Sequence, residues 1–240
     1  MVRRRKGKMD SLQISSNYLH ENIEVTWYLP EGFTPFNDYQ LVFMQDGNDY
    51  FQMGRIATLS DTLHDDGDIN PTIFVGIHYQ NRYDRWDKYH PEGKQNDTYT
   101  SFLVKEVLPA VEDELHITPI SRALMGDSLA GTFAWMTATS FPSTFQKVIM
   151  QSPLVNENVL IQARNMKQSD QLEIYHSIGL EETEVHTTSG DVTNFLQPNR
   201  ELNRLLSETC ENYIYNEFDG NHTWKYWQQE LPTILKKMFR

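Results

Sequence analysis

The chain has 240 residues, of which 39% are hydrophobic, with 12 Phe, 12 Tyr and 5 Trp. That is enough apolar and aromatic material for a sizeable core, and it excludes a disordered chain. A formal net charge of −12 repels phosphate backbones and sets nucleic acid aside as a partner, while the lone cysteine, Cys210, excludes an internal disulfide or a multi-cysteine metal site.

Residues 1–20 read as a basic tail and lead-in, with Arg3, Arg4, Arg5, Lys6 and Lys8 close together. No apolar stretch follows them, so they do not read as a secretory signal. No run approaches the ~20 apolar residues of a membrane span. The expectation is a cytoplasmic protein with no membrane partner. Residues 21–240 read as one domain. Ile23–Leu29 alternates and is rich in β-branched and aromatic residues, as a strand does. Leu41–Gln45 and Pro71–His78 are continuous apolar runs, expected of strands buried on both faces. The aromatic, charged stretch Tyr79–Thr98 reads as a long loop. Tyr99–His116 has helical spacing, with Pro109 inside it as a kink or a boundary.

Next, Arg122–Met125 runs into Gly126-Asp127-Ser128-Leu129-Ala130-Gly131 and then into a helical pattern to about Ser140. Lys147–Gln151 and Leu172–Ile178 read as further strands, Arg200–Glu211 as a helix, Tyr213–Phe218 as the last strand, and Trp224–Lys237 as a closing amphipathic helix. Strands alternating with helices predict an α/β fold with a mostly parallel central sheet and helices on both faces. Chemistry in such sheets gathers at the carboxyl ends of the strands. The loops there are Asp46–Asn48, Tyr79–Thr98, Asp127–Leu129, Gly179–Asp191 and Asp219–His222.

Gly126 to Gly131 has the form of a nucleophile elbow, in which a sharp strand-to-helix turn presents a serine above the sheet. Small residues at Gly126 and Ala130 leave room for that turn. Ser128 is the candidate nucleophile. A serine hydroxyl needs a base in hydrogen-bond reach. His222, after the last strand and before the last helix, occupies the place of the base in the order nucleophile, acid, histidine. Glu181, Glu182, Glu184 and Asp191 all follow the strand that ends at Gly179. Spacing alone leaves all four open as the carboxylate that would hold the imidazole. An oxyanion hole needs two amide donors. The amides of Leu129, after the serine, and of Asn48, in the Asp46-Gly47-Asn48 turn, are the candidates.

These segments resemble a known branch of the α/β hydrolases. Phe43-Met44-Gln45-Asp46-Gly47-Asn48-Asp49-Tyr50-Phe51 is similar to its DGxxxF loop, and the elbow is similar to its GxSxGG, with Ala130 at a usual glycine. Ile178-Gly179-Leu180-Glu181-Glu182-Thr183 resembles its GTxE acid loop, and Gly220 to Trp227 its GxHxWxxW. The branch contains enterochelin esterases, feruloyl esterases, the esterase D group and the antigen-85 mycolyltransferases. The resemblance runs from about Ile23 to the end. It implies an α/β-hydrolase fold and a serine esterase, with Ser128 as nucleophile, His222 as base, Glu182 as acid and the Asn48 and Leu129 amides as oxyanion donors. It implies no cofactor and no metal. The run Asp65-Asp66-Gly67-Asp68 lacks the spacing of a calcium loop.

The expected partner is a small-molecule ester, handled by a monomer or homodimer. Arg82, Arg85 and Trp86 are the expected substrate-binding residues, suited to an aromatic acyl group or a siderophore trilactone. An acyltransferase on the same residues and a catalytically inactive binding protein are the rival expectations.

Overall fold

In a computed structural model of the protein, the described residues are 5–166, 172–187 and 190–240. Arg3 and Arg4 of the basic tail lie outside them. The apolar runs become strands, in chain order Lys8–Ser15 (β1), Asn22–Leu29 (β2), Gln40–Gln45 (β3), Thr72–Ile77 (β4), Ser121–Asp127 (β5), Lys147–Gln151 (β6), Glu173–Gly179 (β7), Val185–His186 (β8), Val192–Thr193 (β9) and Tyr213–Phe218 (β10). The helices are Gly47–Gln52 (α1), Ile56–Asp65 (α2), Arg82–Tyr89 (α3), Asn96–Phe102 (α4), Leu108–Leu115 (α5), Ser128–Ser140 (α6), Glu157–Asn165 (α7), Leu196–Thr209 (α8) and Trp224–Phe239 (α9).

Eight strands form one sheet in the order β1-β2-β4-β3-β5-β6-β7-β10. Pairing is parallel from β4 across to β10, and antiparallel only where β1 meets β2 and β2 meets β4. All six residues of β3 and all six of β4 are buried, because helices cover both faces. Alternation along the strands divides the core. Leu41, Phe43, Leu124 and Val148 face α4, α5, α6 and α8, while Val42, Met44, Met125 and Ile149 face α1, α2 and α9. The fold is the mixed α/β architecture expected from the sequence, of the α/β-hydrolase type. Among the described residues, no helix is long and apolar enough to cross a membrane.

Four features depart from the sequence reading. The stretch read as tail and lead-in contains β1, which pairs along its whole length with β2. Only Ile14 of β1 is buried, so an outer strand with one paired edge leaves little hydrophobic signal. The stretch read as a loop, Tyr79–Thr98, contains α3. Its sequence, RYDRWDKY, is too charged to show an apolar stripe, but Asn81 caps it by accepting from the amides of Tyr83 and Asp84 at 3.0 and 3.2 Å. Pro109 falls at a boundary within the stretch that reads as one helix. A π-helical turn, Leu103–Val107, joins α4 to α5, and the proline then sits at the start of α5, where no donor is needed. Finally, α7 and the small β8–β9 hairpin occupy connections that carried no clear periodicity.

Candidate active site

Parallel pairing brings the ends of β3, β5, β7 and β10 to one edge of the sheet. The elbow follows from tight packing at β5. A side chain on Gly126 would run into the backbone of Ala130 and Gly131. Ser128 therefore turns directly into α6 with φ 51°, a left-handed conformation a serine adopts only when its surroundings enforce it. This strain lifts the hydroxyl away from the sheet.

The acid loop and the histidine loop are tied together by backbone bonds that continue the β7–β10 pairing. Leu180 N donates to Phe218 O at 2.9 Å and Glu181 N to Gly220 O at 3.0 Å. The side chains then meet. His222 Nε2 lies 2.9 Å from Ser128 Oγ, and His222 Nδ1 lies 2.6 Å from Glu182 Oε2. Glu182 has no exposed surface, whereas Glu181, Glu184 and Asp191 are exposed. Of the four carboxylates left open by spacing, Glu182 alone is bonded to the imidazole.

Glu182 is itself held. Its Oε1 accepts from Ser152 Oγ at 2.6 Å and from Gly179 N at 2.9 Å, and Ser152 Oγ accepts in turn from Trp227 Nε1 at 2.9 Å. Both oxygens of a buried carboxylate are thus satisfied, as burial requires. Ser152 reaches this place by a left-handed turn, φ 48°, at the end of β6. The imidazole is held by rings as well as by bonds. Phe195 lies 4.6 Å from it and Trp227 meets it edge-on at 4.8 Å. Sequence reasoning missed Ser152, which reads only as the first residue of a Ser-Pro turn. Trp227 carried a signal through its place in the Gly220–Trp227 motif.

Two helices, α1 and α6, start where the paired strands β3 and β5 end. A helix leaves its first amides without intrahelical acceptors. In α6 these include Leu129, which lines the cavity with Ser128. In α1 the Asp46 carbonyl takes the amides of Asp49 and Tyr50 at 2.9 and 3.3 Å, leaving those of Gly47 and Asn48. Asn48 lines a separate cleft with Arg55 and Gln52 and does not line the cavity that holds Ser128. A side chain on Gly47 would strike Gly76 of β4, which keeps this loop pressed against the sheet.

The cavity above Ser128 encloses about 430 Å³. One wall is Trp86 and His90, stacked 4.5 Å apart with their planes 11° from parallel. Another is Leu154 and Val155. The β8–β9 hairpin and Phe195 close the third side. The three residues expected to bind substrate part company here. Trp86 faces the cavity. Arg82 does not line it, and donates instead to the Tyr83 hydroxyl at 2.7 Å. Arg85 lines the cavity, but its guanidinium is engaged by Asp46 at 2.6 to 3.1 Å. Burial by itself would lower the Arg85 pKa; the Asp46 carboxylate more than offsets this and keeps it charged. Asp127 beside it is pushed well above the usual carboxylate range by burial and then by Asp46, against the pull of Arg85. Among the described residues, no group of three or more His, Cys, Asp or Glu could hold a metal ion.

A parallel-rich sheet with a serine, a histidine and a glutamate bonded in line at the strand ends defines the α/β-hydrolase class. The chain belongs to the family described as "Putative esterase", whose model matches residues 16–238, and it is a carboxylic ester hydrolase. A Bacillus subtilis (strain 168) protein named YjcH is 38% identical over 236 residues, 98% of both chains. Among solved structures, a ferulic acid esterase superposes with a TM-score of 0.74 at 18% identity, over 96% of this chain and 97% of that one. The enterobactin esterase of Shigella flexneri, solved in the presence of enterobactin, gives 0.81 at 18% identity. That match covers 95% of this chain but 58% of the other. The BES protein of Bacillus cereus gives 0.78 at 18% identity over 97% and 95%.

Proposed function

We propose that the protein hydrolyses esters of aromatic carboxylic acids by a serine acyl-enzyme mechanism. Ser128 Oγ attacks the ester carbonyl while His222 Nε2 takes its proton. Glu182 holds the imidazole's other nitrogen and stabilises the imidazolium. The developing oxyanion lies between the amides of Asn48 and Leu129. His222 then protonates the leaving alcohol, and a water activated by the same imidazole releases the acid. The observation that supports this most is the unbroken line from Ser128 Oγ through His222 to Glu182, at 2.9 and 2.6 Å.

The aromatic preference rests on the stacked Trp86–His90 pair and the apolar surface that Leu154 and Val155 add to the same cavity. A volume of about 430 Å³ suits one aryl ring and a short alcohol. With Arg85 engaged by Asp46, little positive charge is left to draw in a polyanionic catecholate. The test is a panel of p-nitrophenyl acetate, methyl hydroxycinnamate and a catecholate trilactone, offered to the wild type and to Ser128→Ala. Aromatic monoesters should give the highest kcat/KM, and Ser128→Ala should lose at least about a thousandfold on all of them. Preference for the trilactone would overturn the substrate reading; turnover by the folded variant would overturn the mechanism.

A further inference from the structure

Two side chains of α3, one turn apart, end on the same residue. Arg85 Nε donates to Asp46 Oδ1 and Oδ2 at 3.1 and 2.9 Å, and Arg85 Nη2 donates to Oδ2 at 2.6 Å. The Tyr89 hydroxyl accepts from Asp46 N at 3.3 Å. Arg85 Nη2 also reaches the carbonyl of Asp127 at 3.4 Å. Asp46 immediately precedes Gly47-Asn48, and Asp127 immediately precedes Ser128-Leu129. One planar guanidinium therefore touches both loops that carry the amides proposed above as oxyanion donors. Asp46 needs such a hold. It is 1% exposed and sits at φ 58°, a strained conformation for a non-glycine residue.

We propose that Arg85 is a positioning residue that fixes the separation of the Asn48 and Leu129 amides and thereby the oxyanion hole. The inference rests on the serine mechanism above. It differs from the expectation that Arg85 binds substrate: Arg85 Nε and Nη2 donate to Asp46 and to the Asp127 carbonyl. Lysine cannot reproduce the role, because a single ammonium lacks the fork that grips a carboxylate and reaches a second acceptor. A loop displaced by about 1 Å is enough to cost about 100-fold in rate.

The experiment compares wild type, Arg85→Lys and the isosteric Asp46→Asn. It measures kcat and KM on an uncharged and on an anionic p-nitrophenyl ester, the affinity of a trifluoromethyl ketone that forms a tetrahedral oxyanion on the serine, and the affinity of the carboxylic acid product. Arg85→Lys should lower kcat about 100-fold with KM within about threefold. The ketone should weaken by the same factor and the product should bind as before. Asp46→Asn should shift the same quantities in the same direction by less, and it carries the test alone if Arg85→Lys does not fold. Unchanged kcat in the folded variants overturns the inference, as does a rise in KM confined to anionic esters, which would make Arg85 a substrate ligand. Failure of the wild type to take up a fluorophosphonate on Ser128 would instead remove the serine mechanism itself.

Discussion

Two clamps flank Ser128, and they are built from different materials. On the histidine side the parts are mostly neutral and directional. Trp227 donates to Ser152, Ser152 and the Gly179 amide donate to Glu182, and Glu182 meets His222 at 2.6 Å. On the amide side the hold is ionic. Arg85 binds the buried Asp46, with Asp127 and Asp49 close enough to affect the local charge. The first clamp aims a side chain along one line, which hydrogen bonds do well. The second holds two backbone segments just past the last β3–β5 pair, Met44 with Met125, and a forked cation reaches both. Damage should therefore differ in kind. Loss in the first clamp spoils proton transfer, and loss in the second spoils stabilisation of the oxyanion.

The comparison breaks most visibly at Glu182. Glu182→Gln should lower kcat by about a thousandfold or more, measured on a p-nitrophenyl ester, because the amide favours the wrong imidazole tautomer. Asp191→Asn, on the exposed hairpin, should cost far less; the reverse ranking would move the acid to Asp191. Ser152→Ala leaves Glu182 one donor short and should cost about tenfold in kcat with little change in KM. Trp86→Ala touches neither clamp. It should raise KM about tenfold for hydroxycinnamoyl esters and leave acetyl esters unaffected, as loss of one stacking partner implies.

The smallest expected effect on activity lies outside both clamps, at His176 in β7. It is fully buried between Tyr213 and Asn199, and burial lowers its pKa to about 4 against the pull of Asn199. A base depressed in the fold is neutral there and contributes stability above its unfolded pKa, near 6.5. That stability falls as pH drops from 6.5 through 4, by up to about 3 kcal/mol. Melting curves should show it, and His176→Gln should flatten the pH dependence while leaving activity at pH 7 intact.

How much of this was legible in the sequence varies with the physics of each part. Buried parallel strands announce themselves: β3 and β4 fall on continuous apolar runs, and β5, β6, β7 and β10 fall where strands are expected from the sequence. The elbow and the Gly220–Trp227 stretch carry fixed spacings, so Ser128 and His222 could be picked out. Glu182 could not be separated from its neighbours by spacing, since burial distinguishes it and burial of one glutamate among several is a property of the fold. The bond from Arg85 to Asp46 was hidden because the exposed look of RYDRWDKY conceals a helix that sends a guanidinium to a buried carboxylate. Ser152 was invisible because its role depends on a turn that aims it across the sheet at a residue thirty positions away.

The central claim is that Ser128 is the activated nucleophile, and fluorophosphonate labelling followed by peptide mapping tests it most directly. One adduct on Ser128, slowed by substrate and lost in His222→Ala, is the predicted result. Folded, ester-hydrolysing protein that stays unlabelled, or that carries its adduct on another residue, would contradict it.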